Sequence, residues 1–191
     1  MPESTAKMVL DHGADAKSAD PRGWTLLHLA SQAGNLGVVR LLVERGADVR
    51  QLNKHRKHTP LHLAVHSYRL VKYLLNLGAA VDGELETPLH IAAGGSDLDV
   101  VELLLNRRIN IGATDKDGRT ALHIAVSSKT VLDKRGRTKR PLSQVATRGN
   151  DLAIVRLLLD RGSNINATDK ERRTALHIAA AAAKSRTRLP M

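Results

Sequence analysis

Short apolar stripes with helical spacing recur along this chain, and each stripe carries one polar residue at the same place. Apolar residues at intervals of three and four positions predict amphipathic α-helices. Gly46, Gly78 and Gly162 each follow one of these stripes, where glycine can take the left-handed backbone conformation that ends a helix. The four clearest stripes occupy residues 38–43, 70–75, 100–105 and 154–159.

A six-residue motif marks the start of another kind of predicted helix. We call the helix that starts at this motif a first helix, and the helix of the apolar stripe that follows it a second helix. Its threonine can accept a hydrogen bond from a free N–H of the first helical turn. Pro60 and Pro88 stand at the next position in two copies, where a helix needs no N–H. The leucine and alanine of the motif lie three residues apart and therefore share one helix face. The motif reads Thr-x-Leu-His-Leu/Ile-Ala and occurs at residues 25–30, 59–64, 87–92, 120–125 and 174–179.

The starts of these copies are 34, 28, 33 and 54 residues apart, and this motif with a period of about 33 residues resembles the ankyrin repeat. The resemblance implies an all-α solenoid of stacked helix-turn-helix units, with β-turn fingers on one edge. It also implies a non-catalytic protein–protein interaction module, which presents a concave surface of finger tips and first helices to a protein partner.

We predict a single ankyrin-repeat domain over residues 1–191, with a partial repeat at 1–19 and a final incomplete repeat at 169–191. Neither end resembles the polar capping repeat that such arrays normally require. Our hypothesis is therefore that the chain is a fragment or a divergent gene product. Other repeats are predicted to start near residues 20, 54, 82 and 115.

The 54-residue interval between Thr120 and Thr174 leaves two interpretations. In the first, a degenerate repeat lies near 135–168 and follows a truncated unit that contains the basic stretch 129–140. In the second, a basic loop of 21 residues is inserted into one long repeat. We favour the first, because Pro141 suits the first position of a helix and the downstream spacing is again 34 residues.

The sequence offers little for catalysis. It contains no cysteine and no nucleophile elbow, phosphate-binding loop or zinc-protease motif. Five of its nine histidines belong to the motif, one in each copy, so they are too far apart to share a metal ion and are expected to be structural. We therefore expect no enzyme activity, metal, cofactor or small-molecule substrate.

The location of the protein is predicted from what the chain lacks. The absence of cysteine and of a secretory leader favours the cytosol or the nucleus. No apolar run approaches the roughly 18 residues of a membrane span, so we expect no membrane insertion.

The net charge of +11 is confined to one half of the chain. Residues 1–100 contain 11 basic and 11 acidic residues, whereas residues 101–191 contain 19 and 8. The alternative function is therefore electrostatic binding of nucleic acid or another anionic surface through the basic stretch 129–140 and the basic C-terminal tail, which carries Lys184, Arg186 and Arg188. The chain has only three aromatic residues with which to stack on bases. The residues of this alternative in the basic stretch are Lys134, Arg135, Arg137, Lys139 and Arg140.

The resemblance places the partner-binding residues at finger tips and on the exposed side of first helices. Trp24 is the best single candidate, because an exposed aromatic side chain can anchor an interface. Its other possible role is to cover the first unit of the array. The candidates are Arg22, Trp24, Gln32, His55, Arg56, His58, His66, Glu84, Glu86, Lys116, Asp117, Arg119, Arg148, Lys170 and Arg173.

Overall fold

Helices make up the regular secondary structure of the computed structural model, which describes residues 3–54, 57–81, 86–95, 97–107, 109–127 and 148–184. These residues contain no strand, only an isolated β-bridge between Ala19 and Thr25. The helices are α1 (Glu3–Asp11), α2 (Leu26–Gln32), α3 (Leu36–Glu44), α4 (Pro60–Ala64), α5 (Tyr68–Asn76), α6 (Pro88–Gly95), α7 (Leu98–Leu105), α8 (Ala121–Val126), α9 (Arg148–Asp160) and α10 (Ala175–Lys184).

The threonine of the motif caps the first helices, as predicted. The Thr25 hydroxyl accepts the His28 N–H at 3.3 Å, and His28 Nδ1 accepts the Thr25 N–H at 3.2 Å. The same reciprocal capping box precedes α4 and α8. Such a box satisfies two N–H groups that the helix itself leaves unpaired. The local sequence therefore fixes where these helices begin.

The glycines that follow the second helices adopt the predicted left-handed conformation. The φ angles of Gly46, Gly78 and Gly162 are 83°, 77° and 86°. Beyond Gly46, the Ala47 N–H donates to the Leu42 carbonyl at 3.0 Å, which closes the end of α3. These turns lead the chain out of each second helix toward the next finger.

The chain divides into two compact units, Met1–Pro88 and Leu89–Met191. In the first unit, α2 packs against α3 and α4, α4 packs against α5, and α1 packs against α3. The motif residues Leu27 and Leu61 are buried together with Leu42 and Leu74 of the second helices. Each such side chain contributes about 1.5–3 kcal/mol when it leaves water, so the contact between first and second helices is the core of this unit.

The second unit repeats this arrangement around α8. Helix α8 packs against both α9 and α10, and α9 packs against α7. Leu122 of α8 is buried, as is Leu158 of α9. The core of the unit therefore has the same pairing of a motif leucine with a second-helix leucine.

The contacts of α8 help to choose between the two interpretations of the interval between Thr120 and Thr174. Because α8 touches both α9 and α10, α9 serves as its second helix and α10 as the next first helix. This arrangement favours an insertion within one repeat over the degenerate repeat that we preferred. The segments that the degenerate repeat requires, 128–147, lie outside the described residues, so the division of the chain into repeats stays a prediction.

Candidate functional site

An aspartate closes the finger at residues 20–24, which we call finger 1. Asp20 Oδ1 accepts the N–H groups of Arg22 and Trp24 at 2.9 and 2.8 Å. The Asp20 N–H donates to the Trp24 carbonyl, and the Gly23 N–H donates to the Asp20 carbonyl. Gly23 has a φ of 77°, a conformation that favours glycine. Four hydrogen bonds thus hold the tip in one shape.

Finger 4 (residues 115–119) uses the same aspartate with an added arginine. Asp115 Oδ1 accepts the N–H groups of Asp117 and Arg119, and its Oδ2 accepts from Arg119 Nε at 2.9 Å. Burial by itself would raise the pKa of Asp115, but these N–H groups and the guanidinium together hold the pKa below its ordinary value. Asp115 is therefore a charged, structural group.

Finger 5 (residues 169–173) has the same network. Asp169 accepts the N–H groups of Glu171 and Arg173, and Arg173 Nε donates to Asp169 Oδ2 at 2.9 Å. Arg173 Nη1 also lies 2.7 Å from Glu171 Oε2. Arg119 and Arg173 were both predicted to bind a partner. In the structure, their guanidinium groups bond to carboxylates of their own fingers and stabilise the finger shape.

Neighbouring fingers are joined by backbone hydrogen bonds. In the first unit, the Lys54 N–H of finger 2 (residues 54–58) donates to the Arg22 carbonyl at 2.9 Å. In the second unit, the Lys170 N–H donates to the Asp117 carbonyl at 3.0 Å. A β-carbon added at Gly118 would lie 3.0 Å from Lys170 N, so the fingers approach too closely for a side chain there.

Four of the five motif histidines connect a first helix to the following finger. The Nδ1 atoms of His28, His62, His123 and His177 accept from the threonine N–H of their own copy, which leaves Nε2 to donate. The Nε2 donations go from His28 to the His58 carbonyl (3.1 Å), from His62 to Glu86 (2.8 Å), from His90 to Arg119 (2.9 Å) and from His123 to Arg173 (3.1 Å). For these four histidines, the predicted structural role is confirmed.

Burial disfavours the charged form of two of these rings. It lowers the pKa of His62 to about 4, with a further lowering by the nearby His58 ring and an opposing effect of the Glu86 carbonyl. Burial also lowers the pKa of His28. Because both ring nitrogens are engaged and the rings are enclosed, these side chains are not suited to metal binding or proton transfer.

Most of the predicted partner-binding residues that can be described lie at the surface. Trp24 was expected to have an exposed ring, but its side chain is half-buried. Its ring packs edge-on against His28, with centroids 5.9 Å apart. Arg119 and Glu86 are also half-buried. The exposed candidates are Arg22, Gln32, His66, Lys116, Asp117, Lys170 and Arg173.

His58 is not displayed at the tip of finger 2 as predicted. Its side chain is buried, and its ring stacks on His62 with centroids 5.0 Å apart and an interplanar angle of 5°. His58 Nε2 lies 3.2 Å from Glu86 Oε2. Both His58 and Glu86 therefore link finger 2 to finger 3 (residues 82–86).

Several predicted site residues lie outside the described residues. Arg148 begins α9, but its side chain is not among those described. The others are His55, Arg56, Glu84, Lys134, Arg135, Arg137, Lys139 and Arg140.

Finger 5 contains a strained residue that the motif pattern does not predict. Arg172 has a φ of 60° and occupies the place that Gly23 and Gly118 have in their fingers. Aligning the two similar fingers, Asp-Lys-Asp-Gly-Arg and Asp-Lys-Glu-Arg-Arg, would have revealed it. A left-handed conformation costs a non-glycine residue about 1–2 kcal/mol.

Arg172→Gly should therefore stabilise the chain by about 1 kcal/mol. Arg172 is exposed, so its side chain contributes little packing that the change would remove. Urea unfolding measures the difference, with Arg172→Lys as the matched control that keeps the strain. Equal stability of the glycine and lysine variants would contradict the prediction.

The described residues show no other type of site. They contain no group of three or more His, Cys, Asp or Glu side chains that could hold a metal ion. Within the same part of the chain, no helix has the length and apolar character needed to cross a bilayer.

Comparison with known proteins assigns the family. Family models for ankyrin repeats match residues 2–85, 69–134 and 142–187. The last match begins inside the predicted degenerate repeat. The chain therefore belongs to the ankyrin-repeat family, whose members are generally non-catalytic protein–protein interaction modules.

Curated relatives are much longer than this chain. Human rabankyrin-5 is 28% identical over 188 residues, which cover 87% of the chain and 16% of the relative. Inversin from the dog is 34% identical over 186 residues, covering 92% of the chain and 15% of the relative. Alpha-latrotoxin-Lg1a of Latrodectus geometricus is 33% identical over 129 residues, covering 63% and 9%. The chain thus spans about one sixth of the length of rabankyrin-5 and inversin.

Proposed function

We propose that this chain is a non-catalytic module that binds a protein partner through its finger tips and the exposed side of its first helices. The strongest support for this proposal is the backbone hydrogen bonding between neighbouring fingers. Backbone hydrogen bonds hold fingers 1 and 2 together, and fingers 4 and 5. The outward side chains of Arg22, Lys116 and Lys170 are nevertheless exposed.

Such a surface suits binding because its backbone is fixed before a partner arrives. Ordering loops on association costs free energy, and a preorganised surface avoids much of that cost. Asp20, Asp115 and Asp169 direct their carboxylates inward to the finger backbone. The tips therefore present mainly basic side chains, and we propose a partner with acidic groups at the matching positions.

The test compares finger tips with second helices. Arg22→Ala/Lys116→Ala/Lys170→Ala removes three exposed tip charges. The matched control, Arg69→Ala/Lys72→Ala/Arg156→Ala, removes three exposed positive charges from α5 and α9. A partner isolated with the intact chain should bind the finger variant at least about tenfold more weakly, since a few residues carry most interface energy. It should bind the control within about twofold. A larger loss in the control would contradict the proposal.

Salt dependence separates this proposal from the polyanion alternative. Binding to nucleic acid through the basic stretch should fall about tenfold or more between low and physiological salt. Neutral replacement of Lys134, Arg135, Arg137, Lys139 and Arg140 should then abolish retention on DNA or RNA. Binding that falls less with salt than nucleic-acid binding does, and that those replacements leave unchanged, supports the protein partner. We further propose that the module acts in the cytosol or the nucleus, as the absence of cysteine favours.

A further inference from the structure

Two basic residues hold a backbone conformation that favours glycine. Lys57 of finger 2 and Arg172 of finger 5 have φ angles of 55° and 60°, and they are the non-glycine residues with positive φ in the described part of the chain. Each takes the place that Gly23 has in finger 1, directly before the residue whose carbonyl closes the finger. This conformation costs lysine and arginine free energy, whereas glycine adopts it freely.

Hydrogen bonds within the fingers maintain this strain. The Asn53 N–H donates to the His58 carbonyl at 2.9 Å, and the His58 N–H donates to Asn53 Oδ1 at 3.3 Å. The Arg172 N–H donates to the Asp169 carbonyl at 2.9 Å. Strained residues that their surroundings hold in place are concentrated at functional sites, so a function is expected for the side chains of Lys57 and Arg172.

Interactions within the chain do not offset the strain. The side chains of Lys57 and Arg172 are exposed, so neither is packed in the core. Among the described residues, no carboxylate forms an ion pair with either of them, although Arg119 and Arg173 do pair with carboxylates of their own fingers. The charges of Lys57 and Arg172 are therefore available to a partner.

Arg172 decides the net charge of the finger pair in the second unit. Fingers 4 and 5 together contain five basic and four acidic residues, so without Arg172 the pair would be neutral. The exposed carboxylates of Asp117 and Glu171 lie 2.8 and 2.7 Å from the guanidinium groups of Arg119 and Arg173. In this unit's described residues, three exposed cations have no such carboxylate: Lys116, Lys170 and Arg172.

The first unit has a similar arrangement in fingers 1 and 2. Arg22, Lys54 and Lys57 are exposed, and the Lys54 N–H joins the two fingers by donating to the Arg22 carbonyl. Asp20 of finger 1 directs its carboxylate to the backbone of its own finger. Each unit therefore has two bonded fingers that present three exposed cations, one of them in the strained conformation.

We infer that Lys57 and Arg172 bind carboxylates of an acidic segment of the protein partner, and that they do so at a cost in the stability of the free chain. This inference rests on the proposed function and adds two residues to its predicted site. Lysine and arginine both bind carboxylates through charge-assisted hydrogen bonds. A protein segment is favoured over nucleic acid because the aromatic residue of these fingers, Trp24, is half-buried against His28 and offers bases no exposed ring.

Glycine at these two positions tests the inference, because it removes the charge and the strain together. Lys57→Gly/Arg172→Gly should unfold at a higher urea concentration than the parent chain and should bind an acidic peptide more weakly. Lys57→Arg/Arg172→Lys keeps the charge and the strain, and should match the parent chain in both measurements. Arg69→Ala/Lys72→Ala is the matched control, since it removes two exposed positive charges from α5.

The probe is a fluorescein-labelled oligo-glutamate peptide, whose binding is measured by fluorescence anisotropy at low salt. Every protein compared carries neutral replacements of the basic residues in the stretch 129–140, so that this stretch does not bind the peptide. The glycine variant should bind at least about fivefold more weakly than the parent chain. The conservative variant and the α5 control should bind within about twofold of it.

Peptide binding by the glycine variant within about twofold of the parent chain would overturn the inference. So would a parent chain that does not bind the peptide, or a glycine variant that is less stable than the parent. A loss of binding confined to an oligothymidine probe would also overturn it, by assigning the two charges to nucleic acid.

The variant Arg22→Ala/Lys116→Ala/Lys170→Ala separates failure of this inference from failure of the proposed function. If this variant loses binding and the glycine variant does not, the finger tips bind a partner without the two strained residues, and only the inference fails. If both variants bind the peptide and the isolated partner as the parent chain does, the proposed function fails as well.

Discussion

The free energy of unfolding should fall by up to about 3 kcal/mol as the pH is lowered from about 7 to about 4, because His62 is buried in its neutral form. Burial lowers the pKa of His62 from 6.5 to about 4 in the folded chain. Between those two pH values the unfolded chain binds a proton at this residue and the folded chain does not.

The sign of the effect follows from this difference in bound protons. Stability rises with pH wherever the unfolded state binds more protons. The contribution of His62 is therefore complete above about pH 6.5 and is lost progressively as the pH falls to about 4. His28, whose pKa is also lowered by burial, acts in the same direction.

Urea unfolding at a series of pH values measures this dependence, and His62→Gln is the matched variant. A glutamine at the fourth position of a capping box still accepts the N–H of the capping threonine, so much of the bonding to Thr59 survives. Glutamine does not titrate, and the variant should lose less stability between pH 7 and 4 than the wild type. Identical slopes for the two proteins would show that His62 does not cause the dependence.

The parts of the fold that could be predicted from sequence depend on local chemistry. Thr25 and His28 are three residues apart and satisfy each other's backbone N–H groups within one helical turn. Gly46 needs only its own freedom of φ to end α3. Such interactions involve neighbours along the chain, so the motif alone located the helices and indicated the class of protein.

The parts that could not be predicted depend on contacts between distant residues. His58 was expected at a finger tip, but it is buried because its ring stacks on His62 and its Nε2 lies beside Glu86, 28 residues further along the chain. Trp24 is half-buried because its edge meets the His28 ring. Spacing within the motif contains no information on either contact.

The interval between Thr120 and Thr174 is a second place where the local sequence could not predict the fold. Two segments of the sequence, 120–125 and 140–146, fit the frame of a first helix, and both precede the single second helix α9. Local pattern cannot choose between them. Packing of α8 against α9 and α10 favours the segment at 120–125.

Asp115→Ala should destabilise the chain by about 2 kcal/mol, because it removes the acceptor on which finger 4 is built. The side chain of Asp115 is 4% exposed and accepts from two backbone N–H groups and from Arg119 Nε. Its loss leaves these donors without their acceptor. It also loosens the Arg119 carbonyl, to which His90 donates, and the Asp117 carbonyl, to which Lys170 donates.

Asp169→Ala is the matched control, since Asp169 makes the same bonds in finger 5. Within the described residues, no further finger donates to finger 5 as Lys170 does to finger 4. The loss of stability should therefore be smaller than for Asp115→Ala, as measured by urea unfolding at neutral pH. Equal losses would contradict the prediction that a finger which accepts a bond from its neighbour loses more stability than one which does not. A clearly larger loss at Asp115 would show that each finger supports the next, as a preorganised binding surface requires.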